Sequence, residues 1–141
     1  MPEQTDHDQF QIWLMEMDSS IDQLKASLPA TTRSALDGSD VSLDAVESLV
    51  LQRYADPQAL LRSSELSFHD GMARYVGEIF RRRTGSKWSL DLTEPKKMFY
   101  GVPTLTGGTL KAALCPLTML TALADRRSGS YLSTILRNVS R

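Results

Sequence analysis

HDGMARYVGEIFRRRTGSKWSLDL, residues 69–92, is where the chain changes its period. Met72, Tyr75, Val76, Ile79 and Phe80 fall on one face of an α-helix that His69 or Asp70 opens and that runs to about Arg83. Gly85 stands where a left-handed C-terminal cap is expected. From Trp88 the pattern alternates, with Leu90 and Leu92 apolar and Ser89 and Asp91 polar, which reads as a half-buried strand. Gly77 lies inside the helix, where glycine costs about 1 kcal/mol relative to alanine, so its place there points to the close approach of another backbone.

Downstream, Glu94-Pro95-Lys96 turns the chain, and Met98, Tyr100 and Val102 alternate again. Gly107-Gly108 makes a tight turn before a third alternation at Leu110, Ala112 and Leu114. Three strands joined by short connections predict an antiparallel meander. Pro116 suits the first turn of a helix reaching Arg127, and Tyr131 to Val139 form a last helix after Ser128-Gly129.

Upstream, Phe10, Trp13, Leu14, Met17, Ile21, Leu24 and Leu28 form one helical stripe between Asp6 and Leu28. Pro29 stops it, and Ala30 to Asp40 reads as a loop. The stripe serves an intramolecular core or a seam with a second copy, so residues 1–30 are a possible partner-facing helix and a homodimer is open. Ser42 caps a second helix carrying Leu43, Val46, Leu49 and Val50, and Pro57 starts a further turn over Gln58 to Arg62. The expectation is an α+β fold: N-terminal helices, a three-stranded antiparallel sheet and C-terminal helices. Residues 1–141 form one domain, with 41–139 as its α-β-α core.

Composition narrows the class. With 41% apolar and 23% charged residues in 141, wholesale disorder, collagen and a coiled-coil rod are excluded. A net charge of −1 draws the whole chain to neither nucleic acid nor membrane. One cysteine makes no internal disulfide, and the acidic start MPEQTDHDQF is unlike a signal peptide, so a soluble, cytoplasmic protein without a membrane span is expected. The halves differ, however. Residues 1–70 hold thirteen acidic and four basic side chains, while 71–141 hold four acidic and twelve basic. Such asymmetry marks an interaction surface or simply charges that intermingle on folding.

No catalytic constellation emerges. The chain has only His7 and His69, and no Gly-x-Ser-x-Gly elbow offers either of them a nucleophile. Cys115 sits in the apolar run Leu114-Cys115-Pro116, where an inert buried thiol is expected. There is no Cys-x-x-Cys, His-Glu-x-x-His or calcium-loop spacing, and no Walker pattern, so neither metal nor cofactor is expected. Glu78 has Arg81 and Arg82 three and four residues on, an ion pair across one turn that weighs against a general acid. An enzyme lacking His and Cys chemistry would draw on Glu78, Tyr75 and Tyr100.

Ser42-Leu43-Asp44-Ala45-Val46-Glu47-Ser48-Leu49 followed by Asp56-Pro57, and Tyr75-Val76-Gly77-Glu78 through Gly85 to Trp88, resemble motifs of small uncharacterised bacterial families with a Ser-Leu helix and a Tyr-x-Gly-Glu…Gly-x-x-Trp helix–strand unit. The resemblance spans about Val41 to Val139 and leaves out the helix from Phe10 to Leu28. Those families are similar in size and context to immunity proteins, which implies a non-catalytic chain that neutralises a cognate bacterial toxin. Asp37, Asp40, Asp44 and Glu47 would form its partner-binding face, since an acidic face steers quickly onto a basic active site. The alternative is a nucleic-acid-binding or regulatory module built on Arg81, Arg82, Arg83, Lys87 and the basic C-terminal stretch to Arg137 and Arg141.

Overall fold

The computed structural model describes residues 5–140, so Arg141 and the first four residues lie outside it. Its central element is α6 (Leu66–Thr84), one turn longer at its start than the period alone suggested. Met72, Tyr75, Val76, Ile79 and Phe80 are all buried on it, and Gly85 ends it in the left-handed conformation at φ +69°. Around it lie α1 (Asp6–Met15), α2 (Met17–Ala26), α3 (Ala30–Ala35), α4 (Ser42–Arg53) and α5 (Pro57–Leu60), with a 3₁₀ turn at Ser63–Glu65. After it come β1 (Lys87–Ser89), β2 (Thr104–Thr106), α7 (Pro116–Arg126) and α8 (Tyr131–Val139).

The mixed helix-and-sheet class holds, but the sheet has two strands and not three. β1 and β2 pair antiparallel, Lys87 opposite Thr106 and Ser89 opposite Thr104. Met98, Tyr100 and Val102 alternate without forming a strand: their segment closes on itself through turn bonds from Tyr100 N–H to Lys97 O and Val102 N–H to Phe99 O. Met98 is exposed. Of Leu110, Ala112 and Leu114, only Leu114 reaches the sheet, exchanging backbone hydrogen bonds with Leu105. The Gly107-Gly108 turn folds back instead on the end of α6, where a Cβ at Gly108 would stand 2.0 Å from Thr84 O. Thr109 N–H donates to that same oxygen.

The N-terminal helix is bent. Glu16 ends α1 and begins α2 at φ −89° and ψ 7°, while hydrogen bonds still run from Glu16 N–H to Ile12 O and from Ser20 N–H to Glu16 O. Of the stripe, Phe10, Met17, Leu24 and Leu28 are buried within this chain, and Trp13, Leu14 and Ile21 are half-buried. Residues 30–35, read as loop, are the short helix α3, entered through Pro29. Ser42 is the first helical residue of α4 and not its cap; Val41 holds that position without a side-chain bond.

Gly77 does meet a close neighbour, but a side chain and not a backbone. A Cβ there would lie 2.2 Å from the indole of Trp88. Trp88 is half-buried, packed edge-on to Trp13 at 4.9 Å, and donates Nε1–H to Glu78. Gly71 performs the same service for α2, whose Leu24 Cβ would stand 3.2 Å from its added carbon. A single apolar cluster then runs from Leu24 to Leu136 through α4, α6 and α7.

Candidate functional site: an acidic cleft beside α2

Packing Leu24 over Gly71 leaves an open edge on each side of α2. On one side, a cleft of about 420 Å³ is bordered by Asp18, Asp22, Lys25, Asp37, Glu78 and Arg82, with Tyr75 beneath. Asp18 and Asp22 lie one turn apart on α2, and the 37–38 loop lines the same cleft, joined to α6 at Tyr75 and Arg82. Asp18, Asp22, Asp37 and Asp44 take part in no ion pair among the described residues. The excess of carboxylates makes the rim negative.

A directed hydrogen-bond chain shapes the floor. Gly38 N–H donates to Tyr75 Oη at 2.9 Å, and Ser42 Oγ–H donates to Ser39 O at 2.6 Å. Since Ser42 has spent its one hydrogen, the 2.7 Å contact between the two hydroxyls is Tyr75 donating to Ser42. The chain pins the 38–42 loop to α6, and the Tyr75 hydroxyl is part of that brace. Asp37 accepts from the Ser39 hydroxyl and backbone N–H, which hold its carboxyl below the usual range. It is a fixed negative charge and no proton donor.

Glu78 is similarly committed, to Arg81 at 2.6 Å and to Trp88 Nε1–H at 3.1 Å. The enzyme-type candidates Tyr75 and Glu78 therefore do meet, together with Asp37, but as structural partners; Tyr100 is not among the residues around them. His69 is buried on α6 with Nε2–H donated to Leu117 O, and burial pulls its pKa down. Cys115 is buried and unpaired. Among the described residues no group of three or more His, Cys, Asp or Glu side chains gathers as a metal site. No helix there is long and apolar enough to cross a membrane.

The four acids expected to form a face separate in the structure. Asp37 lines the cleft, Asp44 is exposed on the first turn of α4, and Asp40 pairs with Arg83 at 3.3 Å. Glu47 is fully buried and corrects the expectation: Oε2 accepts Tyr131 N–H and Oε1 accepts Leu132 N–H, so it caps α8 across the core. The reason is positional, because Glu47 shares the face of α4 that buries Leu43, Val46 and Val50. Asp18 and Asp22 were missed, since acids on the open side of a helix carry no signal beyond solvation.

The basic run is also partly spent internally. Arg81 holds Glu78, Arg82 donates Nη2–H to Gly38 O, and Arg83 meets Asp40. Two of these three contacts tie the basic second half to the acidic first half. No protein-family model, curated protein or solved structure matches the chain.

Proposed function

We propose that this chain is a non-catalytic binding protein, most concretely an immunity protein that occludes a cognate bacterial toxin, and that the cleft beside α2 is its recognition surface. The observation that carries the reading is the row of carboxylates at Asp18, Asp22 and Asp37, in no ion pair among the described residues and, with Glu78, outnumbering Lys25 and Arg82, held beside an immobilised loop. A rigid negative rim suits the basic substrate-binding face of a nuclease-like toxin, steering encounter and excluding like-charged partners. Val41, 77% exposed at the head of α4, adds an apolar anchor within the same acidic stretch. Tyr75, Asp37 and Glu78 of the cleft are each tied into structural hydrogen bonds, which supports occlusion over catalysis.

The test compares the wild type with an Asp18→Lys, Asp22→Lys, Asp37→Lys variant. The wild type should capture one stoichiometric protein whose expression alone arrests growth and whose toxicity is relieved on co-expression. The variant should fold normally, associate at least about tenfold more slowly and lose most of its salt dependence. Equal protection by both proteins would remove the cleft from the reading. Nucleic acid eluting with salt in place of a protein would overturn it in favour of the basic module.

A further inference from the structure

The opposite edge of α2 carries a second cleft, of about 500 Å³, and its chemistry is rich in donors. Ser20 and Gln23 face it from α2, Ser64 and Ser67 from the start of α6, and Arg53 and Arg74 close it. Arg74 is the telling residue. Its side chain is 4% exposed, with Nε donated to Asp70 and Nη1 to Trp13 O, and its plane lies over the Trp13 ring. Among the described residues Nη2 has no hydrogen-bond acceptor, so this buried cation, which lines the cleft, keeps one donor uncommitted there.

The start of α6 adds to this. It is a 19-residue helix with no acid in its first turn and no side-chain bond at its N-cap, Glu65. Glu65 has turned its carboxylate onto Tyr54 Oη–H and Arg53 Nε–H and does not cap the helix; Leu66 N–H donates to Ser63 O in the 3₁₀ turn, and the rest of the positive helix end lies between Ser64 and Ser67. Arg53 is itself fixed, stacked on Phe68 with its Cζ 3.9 Å from the ring centroid. Of the two acids on the cleft, Asp70 is occupied by Arg74 and by Trp13 Nε1–H, and Glu16 is exposed at the lip.

We infer that this second cleft binds a phosphoryl oxyanion. Two braced guanidiniums, a helix N-terminus and several hydroxyls converge from different directions, which suits a tetrahedral group with several oxygens better than a planar carboxylate. The site is independent of the toxin-binding reading, because it lies on the other edge of α2 and asks nothing of Asp18, Asp22 or Asp37.

Titration of the full chain with inorganic phosphate, followed by amide NMR at constant ionic strength, tests it. Saturable shifts are expected at Ser64, Ser67 and Phe68 and at the Arg74 Nε–H signal, together with a rise in Tm. Arg53→Gln, at a partly exposed residue, should weaken binding by roughly tenfold, the loss of one charge-assisted contact. Ser67→Ala should weaken it less. Parallel titrations with phosphoserine and with a nucleoside monophosphate identify the source: tighter binding of the first points to a phosphorylated protein, of the second to a metabolite. Shifts that never saturate, that spread over surface lysines, or that survive Arg53→Gln with Ser67→Ala unchanged would overturn the site.

Discussion

Along one edge of α2, Asp18 and Asp22 look towards Asp37, Tyr75 and Glu78; along the other, Ser20 and Gln23 look towards Arg53, Arg74 and the serines at the start of α6. Both edges rest on the same contact, Leu24 over Gly71, and on the same face of α6. The backbone is therefore common to the two clefts, and only the side chains one position to either side of the apolar ridge make one acidic and the other donor-rich. A helix that buries Met17 and Leu24 necessarily divides its remaining surface in two. What each half recognises is free to be set without disturbing the core.

Charge alone does not decide which acids belong to the acidic edge, and Glu47 is the sharpest way to break that grouping. Glu47→Ala leaves the N–H groups of Tyr131 and Leu132 without their acceptor and should cost about 3 kcal/mol. Urea denaturation measures the loss. Association through the acidic cleft should be unchanged wherever the variant is folded. A stability close to wild type with slowed association would return Glu47 to the surface and undo the assignment.

Tyr54 separates the edges by pH. Burial, with its hydrogen bond to Glu65, pushes its pKa up to about 12, against an ordinary value of 10.0. The unfolded chain thus ionises this phenol first, and stability is held below pH 10 and lost as pH rises towards 12. The Tyr54 share is of the order of 2 kcal/mol and is isolated as the difference between wild type and Tyr54→Phe, which removes it from the background of titrating lysines. The same substitution leaves Arg53 as the one remaining hold on Glu65 and lets its carboxylate swing towards the start of α6, so phosphate binding should weaken at neutral pH while the acidic edge is unaffected. If phosphate binding is unchanged, Glu65 is not what keeps that helix end open.

The helices were legible because their period is long and their burial one-sided: α6, α7 and α8 lie within a few residues of the stripes that announce them. The sheet was not, because alternation over three positions is cheap to meet by chance. Met98, Tyr100 and Val102 satisfy it in a segment of turns, where Gly101 sits at φ +71° and Met98 faces solvent. Of the acidic site, Asp37 could be read from its loop, and Glu47 could have been removed by noticing that it falls on the stripe of Leu43, Val46 and Val50. Asp18, Asp22 and the placing of Arg74 at the cleft were beyond reach, since each depends on what α2 leans against.

The smallest expected effects come from the two glycines of α6, and they test whether α2 is a rigid wall. Gly77→Ala places a carbon 2.2 Å from Trp88, whose indole is held by Glu78 and Trp13 and has little room to retreat. Overpacking should exceed the helix-propensity gain and leave a net loss of about 1–2 kcal/mol in thermal or urea unfolding. Displacing Trp88 also releases Glu78, so the acidic edge should gain salt dependence. Gly71→Ala meets Leu24 Cβ at 3.2 Å, a gap that closes if α2 shifts by a few tenths of an ångström. There the strain and the propensity gain of about 1 kcal/mol nearly cancel, and Tm should stay within a degree or two of wild type. Both clefts should nevertheless respond, because both are measured from α2. A change in phosphate affinity without a change in association through the acidic edge would mean that α2 rotates instead of lifting, and that its two edges are coupled by that rotation.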